Sequence, residues 1–160
     1  MNDVYLILGS NLGEKENIIE KAKNLVSQRA GIIKASSSIY ETEPWGTIEP
    51  LSYLNAVINI ETELDPFGLL EVLLKIEKEL GRKRTGIRNQ PRTIDIDILF
   101  FNEEVINHKD LVIPHERLQY RNFVLIPLAE IAPDLNHPVL HASVKNLLDT
   151  CTDTRWVKLY

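Results

Sequence analysis

The chain has 160 residues, of which 44% are hydrophobic, and a formal net charge of -5. That is enough apolar material for one domain burying about two thirds of its extended surface, and a second domain is not expected. The acidity argues against a general nucleic-acid surface, no apolar run reaches the ~18 residues of a membrane span, and the opening MNDVYLILGSN has an acid where a signal peptide is basic.

A cytoplasmic protein with neither membrane nor nucleic-acid partner is therefore expected. The single cysteine, Cys151, has no internal disulfide partner.

Val4 to Leu8 is a short apolar run that suits a buried strand, and Gly9-Ser10-Asn11 after it suits a turn. Ile18, Ile19, Ala22, Leu25 and Val26 recur at helical spacing, with Gly31 beyond them as a stop. Ile32 to Tyr40 reads as a strand and runs into a Pro- and Gly-containing loop that carries Trp45. Tyr53 to Glu61 alternates, setting Leu54, Ala56, Ile58 and Ile60 against Tyr53, Asn55, Val57, Asn59 and Glu61. Asp65-Pro66 caps a second helix, traced by Leu69, Leu70, Leu73, Leu74, Ile76, Glu77 and Leu80 and closed by Gly81.

Further on, Phe100 to Glu104 is read as a hairpin turn leading into Val105-Ile106, and Leu111 to Ile113 as another short extended piece. Arg121 to Ala132 has helical periodicity, with Pro127 predicting a kink or two short helices. Val144, Leu147 and Leu148 mark a last helix, and Trp156 to Tyr160 an edge strand. The order β-α-β-β-α-β, followed by a hairpin and helices, predicts a ferredoxin-like α+β sandwich. Enzymes, RNA binders and regulatory modules all use that fold, so function has to come from particular residues.

The informative stretch is Pro91 to Leu99, PRTIDIDIL. Read as a strand, it places Ile94, Ile96 and Ile98 on one face and Thr93, Asp95, Asp97 and Leu99 on the other. Carboxylates two positions apart lie roughly 6.6 Å from each other, and at an effective dielectric near 20 they repel by about 2.5 kcal/mol. A solvated sheet face would account for the two acids alone. It would not account for Arg82, Lys83, Arg84, Arg88 and Arg92 in the loop beside them. Acids next to a basic loop suit a site that holds divalent metal and polyphosphate together, with carboxylates on the hard cation and arginines on phosphate oxygens.

At this point the chain resembles the hydroxymethyldihydropterin pyrophosphokinase family. The likeness rests on Gly9-Ser10-Asn11-Leu12, Tyr40 with Glu41-Thr42-Glu43-Pro44, Tyr53-Leu54-Asn55-Ala56, Glu77 with Gly81-Arg82, Pro91 to Asp97, Pro114-His115, and Arg121-Asn122-Phe123 leading into Pro127-Leu128. It implies transfer of a pyrophosphoryl group from ATP to a reduced hydroxymethylpterin, by a monomeric folate-pathway enzyme. It also implies that Asp95 and Asp97 hold two Mg²⁺ ions. By the same resemblance Arg82 and Arg92 join these acids in catalysis, while Glu77, Arg84, His115 and Arg121 contact ATP. Thr42, Pro44, Trp45, Tyr53, Asn55 and Phe123 fall where the family binds the pterin. A flat bicycle needs aromatic walls and an amide such as Asn55 to read its edge.

Two alternatives stand beside this reading: a non-catalytic ferredoxin-like module that binds nucleotide or metal, and another metal-dependent nucleotidyl transferase. The chain also departs from the family. Asn89-Gln90 stands where many members have Trp-Gly, Asp110 where some have a base, and Glu116 where an aromatic or proline is more usual. With no ring at position 89, Trp45 is expected to supply the aromatic cover. Gly9 and Asn11 are read as turn residues, and His108, His137 and His141 lack metal-ligand spacing.

Overall fold

Nine consecutive residues at the start of the chain form the middle of the sheet, because strands pair with them along both edges. In the computed structural model, which describes residues 1–43, 52–82 and 93–160, β1 (Asn2–Ser10) pairs antiparallel with β4 (Tyr53–Thr62) on one side and with β5 (Asp95–Phe101) on the other. The edge of β4 opposite β1 is filled by two short strands in succession, β2 (Ile32–Ser36) and β3 (Tyr40–Thr42). The strand expected over residues 32–40 is thus broken at Ser37. There Ser37 Oγ accepts from Val57 N at 2.9 Å and Ser37 N donates to Val57 O, a local substitute for ladder pairing. Strand β8 (Val157–Leu159) pairs with β3 and ends the order β5-β1-β4-β3-β8. This is the ferredoxin-like arrangement with the expected edge strand.

One face of the sheet is covered by α1 (Lys15–Arg29) and α2 (Pro66–Glu79). Ile19, Ala22 and Val26 from α1 and Leu69, Leu73 and Ile76 from α2 pack on Leu6, Leu8, Leu54, Ile58, Ile96 and Ile98. Each such side chain taken fully from water contributes roughly 1.5 to 3 kcal/mol. Asp65 caps α2 by accepting from Gly68 N at 2.7 Å. Gly31 follows α1 where a Cβ would sit 2.1 Å from Glu61 O, so only glycine lets the chain pass that close to β4.

The opposite face is covered only in part, by α3 (Asn122–Ile131), α4 (Val144–Thr150) and the 3-10 turn Leu118–Tyr120. Val124, Leu125, Leu128, Val144 and Leu147 pack there on Ile7, Val57, Leu99 and Phe100. Leu99 and Phe100 are neighbours in sequence yet share this face, because the register shifts by one residue where Tyr5 pairs with Phe100 and Leu6 with Ile98. The extra residue is a bulge at Leu99 that re-aims the end of β5.

Two local expectations are corrected. Of the two readings of Pro127, that of two short helices is overturned, since the residue lies buried inside one continuous helix. The hairpin falls one element later than read. β6 (Ile106–His108) pairs with β7 (Leu111–Ile113), and not with β5, whose edge ends at Phe101. Among the described residues no helix is long and apolar enough to cross a membrane.

Candidate functional site

Because α3 and α4 leave one end of their sheet face open, the side chains of the upper rows point into a cleft. Strand register defines those rows. Asp97 pairs with Ile7, which pairs with Val57; one step up, Asp95 pairs with Gly9, Gly9 with Asn55 and Asn55 with Tyr40; beyond these, Thr42 pairs with Tyr53. The cleft is lined by Ile7, Gly9, Thr42, Tyr53, Asn55, Asp95, Asp97, Arg121 and Phe123. Seven residues expected at the site thus come together, from β3, β4, β5 and the start of α3. Ile7 and Gly9 complete the floor. Gly9 was read as a turn residue, but β1 runs through it because both neighbouring strands extend to meet it.

Asn55 is buried, and its Nδ2 donates to Thr42 Oγ1 at 3.0 Å. Across the cleft stand Phe123 and Arg121, whose Cζ lies 5.5 Å from the centroid of the Phe123 ring. Burial, and then the charge of Arg117, lowers the proton affinity of the Arg121 guanidinium. The charges of Asp97 and Asp153 offset part of this.

The acids differ in their surroundings. Arg82 donates from Nη1 to Asp95 Oδ1 and to Ile94 O at 3.2 Å, and lies 3.7 Å from Glu77 Oε2. Burial alone would lower the proton affinity of Arg82, but Asp95 and Glu77 outweigh it and hold it above the ordinary value. Glu77 is buried and accepts from Ile96 N at 2.7 Å. A carboxylate on α2 therefore clamps the strand that carries the acids and steadies the arginine between them.

His115 stands apart from the cleft, in a groove along the outer edge of β5 that it shares with Asp97, Leu70, Ile96, Ile98 and Leu111. Its backbone N donates to Leu99 O at 3.0 Å. Burial, with the nearby Arg121 charge, pushes its imidazole below the usual histidine value, so it is neutral at neutral pH. Asp110 and Glu116 line the same groove. Pro44, Trp45, Arg84 and Arg92 lie outside the described residues, as does Asn89.

Among the described residues no three His, Cys, Asp or Glu side chains gather into a metal cage. Two carboxylates on one face nonetheless fit Mg²⁺, which is held by one or two acids and completes its octahedron with phosphate oxygens and water.

Helix α3 carries Phe123, and two distant contacts fix it. No side chain of Arg121 caps its N-terminus. Asp153 does so instead, accepting from Asn122 N at 3.0 Å, while Asn122 Nδ2 donates to Asp153 O at 3.0 Å. Four residues later the same segment enters β8 and pairs with Thr42. Toward the far end of α3, Glu130 accepts from Tyr40 OH and from Ser38 N, both at 2.6 Å. Burial and this carboxylate push the Tyr40 phenol up to about 12. Asp153→Ala should then cost about 1 kcal/mol of unfolding free energy, the usual worth of a cap, and weaken binding at Phe123. Asp153→Asn, which still accepts, should recover most of both. A variant that unfolds and binds like the parent would remove Asp153 from this role.

The profile of the 7,8-dihydro-6-hydroxymethylpterin-pyrophosphokinase (HPPK) family matches residues 5–133. A Bacillus subtilis 2-amino-4-hydroxy-6-hydroxymethyldihydropteridine pyrophosphokinase is 47% identical over 133 residues, covering 82% of this chain and 79% of the relative. The Methylorubrum extorquens protein of the same name is 47% identical over 136 residues, covering 84% of this chain and 85% of its own. Among solved structures, wild-type Plasmodium falciparum HPPK-DHPS superposes with a TM-score of 0.74 at 21% identity, over 93% of this chain and 43% of that longer one, a likeness of fold.

With relatives named as pyrophosphokinases, a ferredoxin-like sheet that carries paired acids on an open, aromatic-walled face is that of a transferase. Within that class the chain belongs to the 7,8-dihydro-6-hydroxymethylpterin-pyrophosphokinase family.

Proposed function

We propose that the cleft is the catalytic centre through which this ATP-dependent pyrophosphokinase transfers the pyrophosphoryl group of ATP to 6-hydroxymethyl-7,8-dihydropterin, giving AMP and the pterin diphosphate. The observation that carries the assignment is the row Asp95, Gly9, Asn55. It sets a metal-binding acid and a ring-reading amide on three adjacent strands, roughly 10 Å apart at sheet spacing, about the reach of a bicycle with its hydroxymethyl arm.

In this reading Thr42, Pro44, Trp45, Tyr53, Asn55 and Phe123 hold the pterin, its ring between the aromatic walls and its amide edge on Asn55. The groove along β5 takes the nucleotide, with Leu70, Ile98 and Leu111 as an apolar bed and neutral His115 as a hydrogen-bonding group. Glu77, Arg84 and Arg121 serve the same substrate, Glu77 through the arginine it steadies. Asp97 lines both the cleft and the groove, which makes the junction between them the place of reaction.

Asp95 and Asp97 would hold two Mg²⁺ ions, whose charge would neutralise the triphosphate and lower the proton affinity of the hydroxymethyl oxygen. That oxygen gives its proton to water and bonds to the β-phosphorus as the bond from this phosphorus to the α,β-bridging oxygen breaks, and AMP leaves with that oxygen. Arg82 and Arg92 offer guanidinium charge to the phosphate oxygens during transfer. Residues 1–160 work as one domain, a monomer in the cytoplasm with no nucleic acid or membrane partner.

Incubation with Mg-ATP and the reduced hydroxymethylpterin, followed by nucleotide chromatography, tests the reaction. AMP in equal amount to pterin diphosphate is expected; ADP or unchanged ATP would overturn it.

A further inference from the structure

Gly9 sits in the middle of the cleft floor, between the pterin-reading residue and the metal-binding acid, and it has the only side chain on that row that is missing. A Cβ built there would lie 2.7 Å from Asn55 Oδ1, while the next nearest atoms, Asn55 Cγ and Leu54 O, are at 3.9 Å. The conflict is thus with the end of one side chain. Asn55 lays its carboxamide oxygen over the Gly9 Cα and turns its nitrogen the other way, to Thr42 Oγ1 at 3.0 Å. Packing on one side and a hydrogen bond on the other leave the amide one sense: one N–H is used by Thr42, and Oδ1 with the second N–H is left to meet a ligand.

We propose that Gly9 is a positioning residue for specificity: by being bare, it lets the Asn55 carboxamide lie in the single sense that sets which way round the pterin binds. The inference rests on the reading of Asn55 as a pterin contact. An amide edge of a heterocycle pairs a donor with an acceptor, and it meets Asn55 in only one orientation when the carboxamide cannot turn. That orientation decides whether the hydroxymethyl arm is directed along the row, over Gly9, to Asp95. With the amide rotated, the same ring would pair the other way round or lose a bond. The conflict is confined to the end of the Asn55 side chain, since the nearest backbone atom, Leu54 O, would be 3.9 Å from that Cβ.

The test is calorimetric binding of the reduced hydroxymethylpterin in the presence of Mg²⁺ and a non-hydrolysable ATP analogue, with binding of the analogue and the unfolding midpoint as controls. Gly9→Ala is expected to weaken pterin binding about tenfold, the scale of one well-placed hydrogen bond, and to raise the KM for pterin while leaving the KM for ATP unchanged. Thr42→Val, which frees the amide from the other side, should weaken pterin binding in the same direction without altering Gly9, and it stands in if Gly9→Ala fails to fold. In an Asn55→Ala background, adding Gly9→Ala should change pterin affinity less than twofold, because the group it displaces is gone. A purely structural role for Gly9 would give the same loss in both backgrounds and would overturn the proposal. So would parent-like pterin binding by Gly9→Ala while Asn55→Ala is impaired. Parent-like binding by Asn55→Ala would instead remove the pterin contact itself, and this inference with it.

Discussion

Replacing Asp97 with alanine is expected to lower the rate of AMP formation about a thousandfold, the scale of a lost electrostatic contact to the transition state, without loosening the fold. Asp97 lies at the junction of cleft and groove, on a face where no helix covers it. It shares that face with Asp95, one strand repeat away, and at roughly 6.6 Å two carboxylates repel by about 2.5 kcal/mol at an effective dielectric near 20. Asp97 also faces the charges of Arg82 and Arg121, so its removal trades this repulsion against those attractions, and the unfolding midpoint in urea should change little. Activity measured at limiting and at saturating Mg²⁺ gives the second reading: a ligand defect shows a shifted Mg²⁺ dependence. If Asp97→Ala retained near-parent turnover at limiting Mg²⁺, the metal assignment would be wrong. Asp95→Ala should lose as much activity and also some stability, because the largely buried Arg82 side chain would be left without its nearest acid.

The acids and their common face were legible from alternation alone, since Ile94, Ile96 and Ile98 had to point into a core. So were the Asp65 cap, the two helices beneath the sheet, and the strand that presents Tyr53 and Asn55 on one side and Leu54 on the other. The family likeness supplied the roles. What local sequence could not carry was anything set by partners far along the chain. Gly9 looks like punctuation after an apolar run, and becomes a cleft floor only because β4 and β5 both extend to meet it.

The same holds for Phe100, which alternation would set with Ile98 and which a bulge against Tyr5 and Leu6 moves to the face of Leu99. Asp153 and Glu130 show it most plainly. Neither belongs to a recognisable motif, yet one caps α3 from 31 residues away and the other ties it to Tyr40 across 90. The C-terminal segment beyond the family match contributes through such contacts: Asp153 holds the wall of Arg121 and Phe123, and Val157 pairs with Thr42 on the opposite wall.

Arg82→Ala is expected to be the most destabilising single change at the site. Sequence alone made Arg82 a phosphate ligand, but its side chain is only 12% exposed and already engaged with Asp95, Ile94 O and Glu77. Glu77 in turn has 3% of its side chain exposed. Taking away the cation leaves a buried carboxylate without its nearest described counter-charge, a change that costs about 3 to 5 kcal/mol out of the 5 to 15 typical of a domain. Urea unfolding should show that loss with an unchanged slope, and turnover should fall as well because the strand bearing Asp95 loses its clamp. Arg82→Lys should restore only part, since an ammonium cannot bond Asp95 and Ile94 O with a planar fork. The double variant Arg82→Ala with Glu77→Gln separates the two effects: it should regain most of the stability, the buried charge having been removed, and regain little activity. If Arg82→Ala unfolded at the parent's midpoint and lost only turnover, the arginine would act on phosphate alone, and the clamp through Glu77 would have no part in holding the acids.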